Sequence, residues 1–225
     1  DIYVIMQVII LFGAIFLGVR LGGMGIGYAG GLGVVLLSLG MGMFPGQIPW
    51  DVILIIMSAI AAICALQLAG GLDYLVRIAE SILRKNPKHI NYLAPTVTYF
   101  LTILAGTGHT AFSMIPVIVE VAKSENIKPS VPLSIAVVAS QIGITASPVS
   151  AAVVAMSGFL EPYGVNYPTL LAICISTTFV GVMITAFIMS TFANNDLSSD
   201  PVYQERLAAG HVTPPREKST DFHLK

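Results

Sequence analysis

The sequence predicts an all-α polytopic membrane protein, and three observations carry that prediction. Of 225 residues, 55% are hydrophobic and only 10% charged, with a mean hydropathy of +0.83. A soluble domain carries roughly 25% charged residues. Uncharged apolar runs long enough to span a bilayer recur along the chain, beginning with Ile2 to Val19. The charged residues gather in a few short connections and in the C-terminal tail. This excludes a water-soluble enzyme and indicates no nucleic-acid partner. Cys64 and Cys174 fall inside apolar runs and read as small hydrophobes, so neither a disulfide framework, a metal site nor a cofactor is expected. No basic n-region precedes the first run, so no cleavable signal peptide is expected. The missing initiator Met reads as trimming or an edited chain.

Residues 1–71 read as a scaffold of three spans. Arg20 closes the first. The glycine-dense stretch from Gly22 to Gly33 follows no strand and lacks a Lys-Ser/Thr ending. It therefore reads as close helix packing rather than a phosphate loop. Met24 to Phe44 is the second span, and Pro45 to Asp51 is a turn. The sole tryptophan, Trp50, stands at this span end, as interfacial Trp often does. Val52 to Ala69 is the third span, stopped by Gly70-Gly71, and Asp73 is placed to cap the next helix. Residues 72–89 then form an interfacial amphipathic helix. Leu72, Leu75, Val76, Ala79, Ile82 and Leu83 share one side, and Asp73, Arg77, Glu80, Arg84 and Lys85 take much of the other.

Charge sets the orientation. Arg77, Arg84, Lys85 and Lys88 follow the third span, and Lys123 and Lys128 come later, whereas Pro45–Asp51 and Glu161–Tyr167 hold no Lys or Arg. The positive-inside rule places the basic loops in the cytoplasm, the N-terminus outside and the C-terminal tail inside. Only 34 residues separate Lys88 from Lys123. Two full spans need about 40. Residues 90–122 are thus expected to be a re-entrant hairpin turning at Gly106-Thr107-Gly108, its arms bent or ended by Pro95 and Pro116. Residues 131–160 must cross outward as a discontinuous helix. Its halves are Pro132–Ile144 and Pro148–Leu160, with Ser147 as the cap and Pro148 in the first turn. Residues 167–190 return inward. Residues 191–225 form a cytoplasmic linker or tail, with a short helix at Asp200–Ala209 and disorder from His211 to Lys225.

Two polar interruptions mark the candidate site. One holds Gly106, Thr107, Gly108, His109 and Thr110, and the other holds Thr145, Ser147, Pro148 and Ser150. A break at membrane depth is tolerated where protein or water covers it. The N-terminus of each half-helix offers free N–H groups and a favourable dipole to an anion. Hydroxyls of Thr107, Thr110, Thr145, Ser147 and Ser150, with Gln141 beside them, add donors. Two such ends suit a ligand with a carboxylate at each end, the arrangement of a secondary transporter. Each residue also has a plainer account. The threonines bond their own backbone, the glycines serve packing, Ser147-Pro148 is a kink, and His109 stays neutral and hydrogen-bonded. Two other functions remain open: an intramembrane enzyme pairing Ser147 or Ser113 with His109, and a non-transporting structural subunit.

Several stretches resemble a known family. They are LGGMGIGYAGGLG at Leu21–Gly33, LQLAGGLDYLV at Leu66–Val76 and LRKNPKHINYLAPTVTYFLTILAGTGH at Leu83–His109. They continue as IPVIVEVAK at Ile115–Lys123, SQIGITASPVSAAVV at Ser140–Val154 and DLSSDPVYQERL at Asp196–Leu207. Together they resemble the N-terminal half of the bacterial anaerobic C4-dicarboxylate (Dcu) transporters, nearest to the aspartate- and fumarate-carrying branch. The resemblance implies exchange across the cell inner membrane in anaerobic respiration, with fumarate, malate or aspartate entering and succinate leaving. It implies the first inverted repeat of an ion-transporter-superfamily-like fold, with a re-entrant hairpin and a discontinuous helix. It places Gly106-Thr107-Gly108-His109 and Thr145-Ala146-Ser147-Pro148 on the substrate site. Coupling to Na+ or H+ stays open, as does a homodimer. A family member has roughly double this length, so a second repeat or a companion chain is expected to complete the site.

Overall fold

The computed structural model describes residues 1–46, 48, 50–108 and 110–214. Among them the secondary structure is helical, and the one β-type pairing is an isolated antiparallel bridge between Ile127 and Asp196. The chain divides into two units, Asp1–Trp50 and Asp51–Lys225.

The first unit is a pair of helices. Helix α1 (Ile2–Leu21) is 20 residues long and apolar enough to cross a membrane. At about 1.5 Å per residue it reaches the ~30 Å of a hydrocarbon core. Gly22 and Gly23, both at positive φ, turn the chain into α2 (Gly25–Val35). The glycine-rich stretch does permit close approach, but at particular positions. A Cβ on Gly33 would lie 2.9 Å from the Ala14 side chain, whereas Gly27, Gly30 and Gly31 face open space. A π-helical turn, Leu36–Gly40, ends the helix, and Gly42 follows at φ 64°. The continuous helix is thus Gly25–Gly40, shorter than the expected span from Met24 to Phe44, because the backbone leaves helical geometry at these last glycines.

The second unit begins within the first turn of α3 (Trp50–Leu68). Gly70, at φ 77°, stands at the N-cap of α4 (Gly71–Lys85), and the part of α3 from Ile53 meets α4 at a 71° bend. The cap is therefore backbone geometry at Gly70 and not the Asp73 side chain. Asp73 lies inside the first turn, where its charge still favours the helix dipole. Ala79, Ser81 and Leu83 of α4 are buried, and Tyr74, Ile78 and Ile82 stay exposed. Arg84 ties this helix to the next layer. Its guanidinium lies 2.9 Å from Glu80 on α4 and 2.9 Å from Glu120 on α6 (Thr110–Ser124). Hydrogen bonding to Glu120 is the largest cause holding the Arg84 pKa above its ordinary value.

Helix α5 (Ile90–Ala105) is the centre of this unit, with ten of its side chains buried. One side packs with α4 and α6 around Leu83, Ile90, Met114 and Ile118. The other meets α7 (Ser130–Ile144) and α9 (Tyr167–Phe192) around Tyr99, Ala139 and Val182. Pro95 and Pro116 sit inside α5 and α6, and neither ends its helix. Helices α5 and α7 approach closely at Gly143, where a Cβ would lie 3.0 Å from the Tyr99 carbonyl oxygen. The Thr98 hydroxyl lies 3.0 Å from the α7 carbonyl of Ala136, and the Tyr99 hydroxyl lies 2.6 Å from that of Thr178 on α9.

Helix α9 is the second helix long and apolar enough to cross a membrane. Asn166 caps it by accepting from the Thr169 N–H at 3.1 Å. Large apolar side chains face outward on both candidate spans, including Ile9, Phe12, Val180 and Phe187, each more than half exposed. Such a surface suits lipid, and the molecule is a helical membrane protein. After α9 the polar chain turns back onto the α6–α7 connection. The Lys128 N–H donates to the Asn195 carbonyl at 2.7 Å, and the Leu197 N–H donates to that of Asn126 at 3.1 Å. Asp200 then caps α10 (Pro201–Ala208), accepting from the Val202 and Tyr203 N–H groups. Residues 215–225, the end of the expected disordered tail, lie outside the described residues.

Candidate functional site

The first interruption forms because α5 cannot continue through Gly106. That residue adopts φ 69°, and its N–H closes the helix on the Thr102 carbonyl at 2.8 Å. Thr107 and Gly108 make the turn, and α6 starts at Thr110. The Thr110 hydroxyl donates to the Thr107 carbonyl at 3.3 Å, and the Ala111 N–H donates to Gly108 at 3.2 Å. His109, the expected ionisable member of this turn, lies outside the described residues.

The second interruption separates α7 from α8 (Ala151–Leu160). Its boundary lies further along than expected. Ser150 is the cap, with extended backbone at φ −78°, ψ 141°, and its hydroxyl accepts from the Val153 N–H at 3.3 Å. Pro148 lies in the unwound segment and not in the first helical turn, and Ser147 caps nothing. The physical reason is that the backbone turns helical only from Ala151, so the Ser147 hydroxyl accepts at 3.4 Å from the Val149 N–H inside the unwound segment while it donates to the Ile103 carbonyl of α5 at 2.8 Å. Tyr167, at the start of α9, donates to the Pro148 carbonyl, which pins the outer edge of the break.

These contacts bring the two interruptions together. Besides the Ser147–Ile103 bond, a Cβ on Gly106 would lie 2.5 Å from the Val149 side chain. One on Gly108 would lie 2.6 Å from the Gln141 amide nitrogen. The C-terminal ends of α5 and α7 and the N-terminal ends of α6 and α8 thus converge in one region. Partial positive charge at two helix starts faces partial negative charge at two helix ends. Gly108, Ser147 and Ser150 are buried, Gly106, Thr107 and Thr110 half-buried, and Thr145 and Pro148 exposed. The Thr145 hydroxyl donates to its own helix at Ile142, 2.7 Å away. Among the described residues, no group of three His, Cys, Asp or Glu side chains is arranged to hold a metal ion.

The structure adds participants that local motifs do not reveal. Ile103 contributes a backbone acceptor, Tyr167 a clamp, and Val149 a side chain against Gly106. Thr102, fully buried beside Gly143, has a hydroxyl without a hydrogen-bond partner among the described residues. Gln141 was legible as a polar residue next to a break. A carbonyl such as that of Ile103 leaves no trace in side-chain identity.

Residues 3–225 match the family described as anaerobic C4-dicarboxylate membrane transporter. The chain is 70% identical over 208 residues to the C4-dicarboxylate transporter DcuA of Wolinella succinogenes, covering 92% of this chain and 48% of that protein. It is 66% identical over 222 residues to DcuA of Helicobacter pylori strain J99, covering 97% of this chain and 50% of that protein. With DcuA of Escherichia coli K12 it shares 54% identity over 218 residues, again 97% of this chain and 50% of the relative. The chain therefore spans about half the length of these curated relatives. These relatives are named as transporters and not as enzymes, and no solved structure matches the chain. Match and identity agree across nearly the whole sequence, and the chain belongs to the anaerobic C4-dicarboxylate membrane transporter family.

Proposed function

We propose that this chain contributes one half of the substrate site of a secondary transporter for C4-dicarboxylates. The substrates are fumarate, malate and aspartate, exchanged for succinate across the bacterial inner membrane. The carrying observation is the convergence of the two breaks, in which Ser147 bonds Ile103 while Gly106 and Gly108 pack against Val149 and Gln141. A dicarboxylate needs donors at both ends. The starts of α6 and α8 supply backbone N–H groups and dipoles, with Thr107, Thr110 and Ser150 at their margins and Thr145 at the end of α7. Helices α5 and α6 have 16 and 15 residues, each short of the roughly 20 needed to span alone. That length supports a re-entrant hairpin. The opposing half of the site comes from a second, similarly broken repeat or a companion chain. Family membership supports the substrate class, and the basic connections support a cytoplasmic tail.

The test is counterflow in liposomes. The protein, alone and together with the remaining half of a full-length relative, is loaded with succinate and offered labelled fumarate or aspartate. Uptake that depends on internal succinate is expected from the complete transporter. No counterflow from the complete assembly would sink the exchange reading. Imposed sodium and proton gradients, applied separately, assign the coupling ion. Substrate protection of a thiol introduced by Thr107→Cys locates the site at the hairpin turn.

A further inference from the structure

A cavity of about 460 Å³ opens where the polar tail folds back on the bundle, well away from the helix breaks. The end of α6, the α6–α7 connection and α10 build it. Its cationic lining is Lys123, Lys128 and Arg206, and Val119, Leu197 and Val202 contribute apolar wall. Asp200 is the carboxylate among the described lining residues, and it is already held by Lys128 at 2.5 Å. Lys123 and Arg206 have no ion-pair partner among the described residues. The cavity thus carries a surplus of positive charge beside an oily surface.

Its level in the membrane follows from the chain. Apolar α9 ends at Phe192, which is 80% exposed, and after Ala193 come the polar Asn194, Asn195 and Asp196. Asn195 and Leu197 bond directly to the backbone of Lys128 and Asn126. The cavity therefore lies beside the point where α9 leaves the hydrocarbon. It is also preformed. The backbone bridge, the Lys128–Asp200 pair and the buried Leu197 hold its walls in place.

We infer that this cavity binds the phosphate of an anionic phospholipid headgroup. Unpaired basic side chains at the membrane–water boundary attract anionic lipid, and the volume admits a phosphoglycerol group. The apolar wall provides for the start of the acyl chains, which a soluble anion would not use. Guanidinium and ammonium groups together supply the charge-assisted donors that a phosphodiester accepts. This site is independent of the transport reading, and its test requires no dicarboxylate.

The full chain, purified in an uncharged detergent, is titrated with dioctanoyl phosphatidylglycerol, dioctanoyl phosphatidylcholine or inorganic phosphate while thermal unfolding is followed. Phosphatidylglycerol is expected to raise the unfolding temperature saturably, and phosphatidylcholine and millimolar phosphate are expected to leave it unchanged. The double variant Lys123→Gln/Arg206→Gln should bind phosphatidylglycerol about thirtyfold more weakly, and each single variant about fivefold. Equal response to the two lipids overturns the proposal, as does wild-type affinity in the double variant. A response to phosphate matching that to phosphatidylglycerol overturns the lipid source and assigns the cavity to a soluble anion. If the double variant fails to fold, the wild-type lipid comparison and the single variants still decide.

Discussion

Ser147 donates its buried hydroxyl to the main-chain carbonyl of Ile103 at 2.8 Å, joining the unwound part of one broken helix to the last turn of α5. The bond makes relative movement of the two breaks costly unless another donor replaces it. Ser147→Ala leaves the Ile103 carbonyl without this donor in a buried setting. A loss of about 1–2 kcal/mol of stability is expected. Thermal or denaturant unfolding in detergent checks it, and unchanged stability would show that the two segments are not coupled by this bond.

Gly106 and Gly164 both adopt positive φ, at 69° and 78°. They differ in their surroundings. A Cβ at Gly106 would meet Val149, whereas one at Gly164 would meet nothing within 4 Å. Gly164→Ala should cost about 1 kcal/mol from backbone strain alone. Gly106→Ala should cost ~1–3 kcal/mol more through overpacking and should impair transport by the complete protein. Parallel unfolding and counterflow measurements separate the two contributions.

The clasp between the tail and the α6–α7 connection should be acid-labile. The Lys128 hydrogen bond is the largest cause lowering the Asp200 pKa, and the Ser198 hydroxyl is the largest cause lowering that of Asp196. A carboxyl whose folded pKa is depressed favours the docked form above its undocked pKa of about 3.9. That contribution is lost as pH falls through the docked value. Amide protection over residues 194–208, corrected for intrinsic exchange, should be constant from about pH 7 to 5 and fall below about pH 4. Asp200→Asn should reduce protection at neutral pH and weaken the acid transition.

Arg84 joins α4 to α6 through a partly exposed ion pair with Glu120. Arg84→Met keeps much of the side-chain volume but removes the charge. A destabilisation of about 0.5–1 kcal/mol is expected, diminishing in high salt. A loss independent of ionic strength would assign the role of Arg84 to packing.

The helical membrane class and the two polar interruptions were legible because hydropathy and glycine placement are local properties of sequence. Cap assignments were less so. Both Ser147 and Ser150 satisfy the chemistry of an N-cap and both accept a backbone N–H, and the extended backbone at Ser150 decides between them, while the tie from Ser147 to the Ile103 carbonyl, 44 positions away, has no local signal. Likewise Asp73 suits a cap by composition, but the left-handed backbone of Gly70 takes that place. The second span looked continuous in hydropathy, which does not register a π-turn or the positive φ of Gly42. The docked tail looked like a polar linker because its partners, Asn126 to Lys128, lie about seventy positions earlier.

That docking closes a circuit. The chain departs at Lys128, forms α7, α8 and α9, and returns to the same point at Asp200. The closing bonds require no continuity in the intervening polypeptide. A nick in the connection containing Gly164, between α8 and α9, should therefore leave both fragments assembled.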